Sequence, residues 1–137
     1  MSISPELLEA AHRFCAIYMT GIIWFVQLVQ YPMLHRSNGE DSAEGHQEYT
    51  RRMGLTVGPV MLLELGLQIH WVIQTPGPRS ITGGLLLLLI WASTLLLQVP
   101  CHRDLEQRYD PESHRELVRS NWIRTLAWTA RALLLSI

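Results

Sequence analysis

Two stretches of this chain carry no Asp, Glu, Lys or Arg: Phe14 to Leu34, 21 residues, and Ser80 to His102, 23 residues. Wound as helices, stretches of that length cross a hydrocarbon core of about 30 Å. This feature constrains the fold more than the averages do. Over 137 residues the chain is 48% apolar and 17% charged, which fits a soluble domain only if the charges are spread out. Here they are gathered between apolar runs. The charge balance removes other classes: the net charge is −1 and all 11 cations are Arg, so there is no basic excess for a nucleic acid. Two cysteines, Cys15 and Cys101, are too few for a disulfide scaffold.

These patterns predict an all-α, four-transmembrane-helix bundle, a single integral membrane domain over residues 1–137. Ser4-Pro5-Glu6 reads as a helix start, with a capping Ser, Pro in the first turn and an acid at the positive end of the dipole. Met1 to Arg13 is acidic and no small-residue cleavage site follows, so the first span, about Leu8 to Leu34, should stay in the mature protein. Asn38-Gly39 is a turn signal. Asp41-Ser42 with Glu44 suggests a short interfacial helix between spans one and two. The second span covers about Met53 to Thr75 and ends in the turn Pro76-Gly77-Pro78. The third, about Ser80 to Val99, should stop at Pro100. Asp110-Pro111-Glu112 caps a helix that continues unbroken into the fourth span, about Asn121 to Ile137.

Seven Arg lie in the two longer loops (36, 51, 52, 103, 108, 115 and 119) against two on the other side (13 and 79). Positive residues stay inside. We therefore expect loops 35–52 and 100–120 to be cytoplasmic and both termini outside. Cys15 and Cys101 then lie near opposite faces and do not pair.

At about 100° per residue, each span shows one polar-aromatic stripe. Span one carries Thr20, Trp24, Gln27 and Tyr31. Span two carries Thr56, Glu64, Gln68 and Trp71. Span three carries Gly84, Trp91, Thr94, Gln98 and His102. Span four carries Asn121, Arg124, Thr125, Trp128 and Arg131. Four stripes turned to a common centre leave Leu, Ile and Val facing lipid.

Glu64 and Arg131 are the expensive members, since a charge at mid-membrane costs about 2.5–3.5 kcal/mol on insertion scales. Glu64 lies about 15 Å deep, Arg124 about 9 Å and Arg131 about 20 Å at 1.5 Å per residue, so either Arg reaches Glu64. Three readings stay open: a structural salt bridge, a ligand or proton-handling site, and an outward-snorkelling Arg131. A second polar concentration lies at the cytoplasmic mouth, with Gln27, Gln30, Tyr31, His35, Gln98, His102, Asn121 and Arg124, and with Tyr49 and Arg52 beside them. Such groups hydrogen-bond a carbonyl, phenol or phosphate headgroup, and they equally satisfy helix ends broken at Pro32 and Pro100.

The spacing of the six His argues for neither metal nor haem. None pair at i, i+4 and there is no Cys-x-x-Cys. His35, His46, His102 and His114 fall near the cytoplasmic face, where exposed His is ordinary. His12 and His70 lie toward the outer face, the one geometry in which a haem could be clamped between spans one and two. We expect no cofactor.

The segment Gln98-Val-Pro-Cys-His-Arg-Asp-Leu105, followed by Asn121-Trp-Ile-Arg124-Thr-Leu-Ala-Trp128, resembles a family of small four-helix membrane proteins that includes the fungal anthrone oxygenases. Thr20-Gly21, Tyr31-Pro32-Met33-Leu34 and Gly58-Pro59-Val60-Met61-Leu62-Leu63-Glu64-Leu65 are similar to patterns in uncharacterised bacterial relatives. Cys101-His102 departs from the family, which usually has Asn after the Val-Pro step. The resemblance implies a four-helix bundle and cofactor-independent oxygenation of a polycyclic phenol; the expected location is a bacterial inner membrane. Two function classes follow. One is an intramembrane polar pocket for a small lipophilic molecule, an oxidoreductase site for a phenol or quinone-like compound. Its candidates are Gln27, Tyr31, Glu64, Gln98, His102, Asn121, Arg124, Trp128 and Arg131. The other is a non-catalytic accessory or structural subunit of a larger membrane complex. The expected partners are the lipid bilayer, a lipophilic ligand, and membrane proteins or a second copy of the chain, with no nucleic acid.

Overall fold

The computed structural model describes residues 3–36 and 42–137, and every long element among them is a helix. Four rods run up, down, up and down. Helix α1 comprises Pro5–Phe25, a π-helical turn Val26–Gln30 and a last stretch Tyr31–Arg36. Helix α2 is Ser42–Gln74. Helix α3 comprises Pro78–Ser93, a second π turn Thr94–Gln98 and Val99–Gln107, and α4 is Pro111–Ser136. The rods close a ring in which α4 packs on α1 and α3, and α2 packs on the same two helices from the other side. Three of the rods contain segments long and apolar enough to cross a membrane: Pro5–Leu34, Gly45–Gln74 and Pro78–Gln107.

Local chemistry sets the helix starts. The Ser4 hydroxyl accepts the Leu7 N–H at 3.3 Å. Asp110 caps α4, accepting the Ser113 backbone N–H at 2.9 Å and its hydroxyl at 2.8 Å. Those bonds, the backbone one first, hold the Asp110 carboxyl below its ordinary range. Between α2 and α3, Ser80 ties the turn together. Its hydroxyl accepts the Gly77 N–H at 3.0 Å and donates to the Thr75 carbonyl at 2.8 Å.

Three boundaries differ from the sequence expectations. Ser42 does not open a separate interfacial helix; it begins a rod that runs without interruption to Gln74. Asn38-Gly39 and Asp41 lie outside the described residues. Pro32 and Pro100 do not end their helices. Each follows a π turn, Val26–Gln30 in one rod and Thr94–Gln98 in the other. A prolyl ring clashes with the carbonyl four residues back and lacks an N–H. Widening the preceding turn relieves that clash and lets the rod continue.

The interior divides into two levels. Near the middle, Met19, Ile23, Met61, Leu87, Ile90, Ala127 and Trp128 form one apolar cluster. Toward the end with the 37–41 and 108–110 connections, Val26, Tyr31, Cys101, Leu105 and Leu117 form another. The outside is unusually apolar, with Leu62, Leu85, Leu88 and Leu96 all exposed, which is what contact with a lipid bilayer requires and what a soluble monomer avoids. Cys15 and Cys101 are both free thiols.

Candidate functional site

The stripe of α2 sets Glu64 and Gln68 one turn apart on the inner face, and α4 sets Trp128 and Arg131 opposite them. Glu64 and Arg131 are fully buried, and Arg131 Nε lies 3.0 Å from Glu64 Oε1. The pair draws in all four helices. Trp128 Nε1 donates to the other carboxylate oxygen, Glu64 Oε2, at 3.1 Å. Arg131 Nη1 donates to Gln68 Oε1 at 2.9 Å and also to the Gly83 carbonyl of α3. Arg131 Nη2 donates to His12 Nε2 of α1 at 3.1 Å, and Gln68 Nε2 reaches the Ser80 carbonyl at 2.8 Å. Every nitrogen of the guanidinium and both carboxylate oxygens therefore have partners. Such a network locks register and rotation of the four rods at one level.

The α1 stripe lies along α4. Thr20 Oγ1 donates to the Trp128 carbonyl at 3.0 Å and Trp24 Nε1 to Thr129 Oγ1 at 3.0 Å. One turn further, Asn121 Nδ2 donates to Gln27 Oε1 at 2.8 Å while Gln27 Nε2 donates to the Val118 carbonyl at 3.2 Å. The two π turns then meet. Tyr31, just past the first, donates its hydroxyl to Oε1 of Gln98, the last residue of the second, at 3.2 Å. Gln98 Nε2 goes on to Ser120 Oγ at 2.7 Å.

Arg124 stands apart in this layer. It is 9% exposed, and among the described residues it has no ion pair and no hydrogen bond; its Nε is sealed from solvent without a partner. Its guanidinium lies 5.3 Å from the Trp128 ring centroid, a cation–π contact. Tyr31, Tyr49 and His102 are within its electrostatic reach. One helical turn earlier, the carbonyl oxygen of the fully buried Asn121 side chain is also unpartnered. Beside them His46 Nε2 and His102 Nδ1 are 2.9 Å apart, with rings stacked at 28°. Unmet buried polar atoms are rare in native proteins, and ordered water, an ion or a ligand are the partners that complete them; Trp91 Nε1 and Ser93 Oγ are unmet as well.

The nine candidates thus fall into two groups. Glu64, Trp128 and Arg131 belong to the central lock. Gln27, Tyr31, Gln98, His102, Asn121 and Arg124 belong to the layer toward the loops. Glu64 takes Arg131 as its partner, not Arg124. His46 and His114 are not exposed surface histidines: both are buried, and His114 Nε2 bonds the Tyr31 carbonyl at 3.0 Å. Both sit on long helices that turn them inward. The motif reading did not anticipate His12 and Gly83 as partners of Arg131. A lone His and a Gly one position off the stripe carry no signal of their own.

Two cavities border the central network, and neither is lined by Arg124 or the residues of its layer. One of about 600 Å³ opens at the end carrying both termini, between α1, α2 and α3, with His12 in its wall. The other, about 450 Å³, is an apolar groove between α2 and α3 lined by Gln68, Gly84 and Trp91. No group of three or more His, Cys, Asp or Glu among the described residues is placed to hold a metal ion. Compared with protein-family models, curated proteins and solved structures, the chain shows no match.

Proposed function

We propose that this chain is a four-span integral membrane protein that holds a small lipophilic molecule through an electron-rich oxygen at Arg124. Both termini lie outside, and the helix ends and connections within residues 35–52 and 100–120 lie on the cytoplasmic side of a bacterial inner membrane. The fourth span is supported by how α4 divides its faces. Between Asn121 and Leu135 its exposed side chains are Trp122, Ile123, Leu126, Ala130 and Leu133, all apolar, while both Arg point inward. A charged helix can lie in lipid on those terms.

The observation that carries the ligand reading is Arg124 itself. A guanidinium that is 9% exposed, with its Nε sealed and no carboxylate or carbonyl beside it, is only partly compensated for the water it loses. A bound phenolate or polarised carbonyl completes that compensation. Asn121, Tyr31, Tyr49 and His102 supply further hydrogen-bonding groups around the same point, and Trp128 supplies an aromatic face. Arg124 as donor and the unmet Asn121 carbonyl oxygen as acceptor suit a phenol, whose oxygen accepts from the one while its hydroxyl donates to the other. The family resemblance of the third and fourth spans extends the proposal to cofactor-independent oxygenation of such a phenol.

The test uses purified protein in detergent or nanodiscs, with 1-naphthol and anthrone as probes. We expect Arg124→Met to weaken probe binding by tenfold or more and to raise the melting temperature of the ligand-free protein, because an unpaired buried charge is gone. Arg124→Lys should retain part of the affinity. Unchanged binding in Arg124→Met refutes the site. Oxygen uptake on adding anthrone tests the catalytic extension separately.

The saturated Glu64–Arg131 lock favours a second reading, an accessory subunit whose polar stripes only join helices. Native mass spectrometry of gently extracted protein separates the two: a co-purifying lipophile supports the first, a stoichiometric protein partner without ligand the second.

A further inference from the structure

The larger cavity lies at the opposite end from Arg124 and has chemistry of its own. It measures about 600 Å³ and is walled by the start of α1, the last turns of α2, the start of α3 and Leu135 near the end of α4. Leu8, Leu67 and Leu135 make its walls apolar. Trp71 adds an aromatic face, against which the His12 ring stands edge-on at 5.6 Å and 80°.

His12 is the informative residue. Its Nε2 lies 3.1 Å from Arg131 Nη2. A guanidinium has no lone pair to offer, so Nε2 must accept, and the ring is a neutral imidazole with its proton on Nδ1. The cavity wall therefore includes an N–H donor fixed in orientation by the buried ion pair, and among the described residues it has no acceptor. Arg79 brings a positive charge to the same cavity. Its Nε and Nη2 both cap the Leu134 carbonyl, at 3.0 and 2.8 Å, and its guanidinium lies 6.0 Å from the Trp71 ring. No carboxylate among the described residues neutralises it. Glu9, the acid in the cavity wall, is engaged by Arg13 at 2.7 Å. One unanswered donor, an exposed cation without an ion-pair partner and apolar walls fit one class of ligand.

We propose that this cavity is a second binding site, for an amphiphile whose head is an anionic oxygen group and whose body lies against Leu8, Leu67 and Trp71. A carboxylate and a phosphate ester share the required chemistry. The head accepts from His12 Nδ1 and sits in the field of Arg79. Because the same imidazole holds Arg131, occupancy also tightens the central lock, and binding to the folded state alone raises its stability. The site is independent of Arg124, which lies eleven residues, about 16 Å, before the cavity-lining Leu135 on α4.

The experiment takes the full chain in nanodiscs of neutral phosphatidylcholine and reads the melting temperature with decanoate, decyl phosphate, decanol, acetate or inorganic phosphate. Decanoate and decyl phosphate should raise it by several degrees, and decanol, acetate and inorganic phosphate should not. Leu8→Trp, which fills the cavity without touching Arg131, should abolish the shift. Arg79→Gln should weaken the apparent affinity five- to tenfold. His12→Leu should do the same, and His12→Gln, which keeps an acceptor for Arg131 and a donor for the head, should restore it. If His12→Leu fails to fold, Leu8→Trp and Arg79→Gln decide the matter. A shift with decanol equal to that with decanoate overturns the anionic head. An equal shift with inorganic phosphate overturns the amphiphile in favour of a soluble anion. A Leu8→Trp protein that responds like the wild type overturns the site. None of these results bears on probe binding at Arg124, so either site can fail alone.

Discussion

Replacing Glu64 by Leu lowers the unfolding free energy by about 3–5 kcal/mol, the cost of stranding one member of a buried ion pair. The expectation follows from the position of Arg131, which is fully buried and holds Glu64, Gln68, Gly83 and His12 at once. With the carboxylate gone, the guanidinium keeps its neutral acceptors but loses its counter-charge, and Trp128 Nε1 loses its acceptor. Arg131→Leu should cost a similar amount by stranding the carboxylate. The double variant is the instructive one. Apolar replacement of a whole buried pair is often neutral or stabilising, yet here Trp128 Nε1, Gln68 Oε1 and His12 Nε2 would each lose a partner, which offsets part of that gain. The double variant should therefore fall between the single variants and the wild type. Unfolding in detergent across the four-protein cycle measures the coupling. Additive single effects, or a Glu64→Leu protein as stable as the parent, contradict a buried pair.

Gly83→Val should cost about 2–3 kcal/mol, at the upper end of what overpacking a tight interior usually costs. A Cβ built on Gly83 meets Gln68 Oε1 at 3.0 Å, Trp71 Cζ3 at 3.2 Å and Arg131 Nη1 at 3.5 Å. Gln68 and Arg131 cannot yield freely, since each is tied to the central network. The Gly83 carbonyl is itself an acceptor for Arg131, so shifting the backbone to make room breaks a second contact. Gly84 is the internal control. Its Cβ would meet Gln68 Nε2 at 3.6 Å and Val72 Cγ2 at 3.9 Å, ordinary contacts. Gly84→Ala should be neutral or stabilising by up to about 1 kcal/mol through helix propensity. Equal melting temperatures for Gly83→Val and Gly84→Ala would remove the argument that α3 approaches its neighbours more closely at Gly83 than at Gly84.

That pair of glycines also shows where pattern reading stops. Angular arithmetic placed Gly84 on the inner stripe of the third helix, and the close contact falls one residue earlier. An error of one residue is about 100° on a helix, and the π turn downstream changes the phase again. Pro32 and Pro100 mislead in the same way. Their local chemistry argues for helix ends, and the widened turns before them accommodate the rings instead. His46 and His114 read as surface residues because nothing local distinguishes a buried histidine from an exposed one.

Much else was legible in the residues. Ser4 and Asp110 cap the helices they were expected to cap, because capping needs only the few residues around the helix start. The run from Pro111 to Ser136 without a break was visible as uninterrupted helix-compatible sequence. Thr20, Trp24, Gln27 and Tyr31 share a face by periodicity alone, and α4 meets that face.

The choice of partner for Glu64 belongs to the tertiary structure. Depth along the helix leaves Arg124 and Arg131 both in reach, and only the axial stagger and rotation of α4 against α2 select Arg131. The same stagger leaves Arg124 without a counter-ion and sets His12 between Arg131 and the terminal cavity. Periodicity, caps and charge-free length are properties of neighbours in the chain, and they determine that the protein is a bundle of apolar rods with polar stripes. Which polar groups meet, and which stay unmet, depends on how the rods settle together over a few ångströms. That settlement is governed by the packing of side chains far apart in sequence, such as Met19, Met61, Ile90 and Trp128, which share one core cluster.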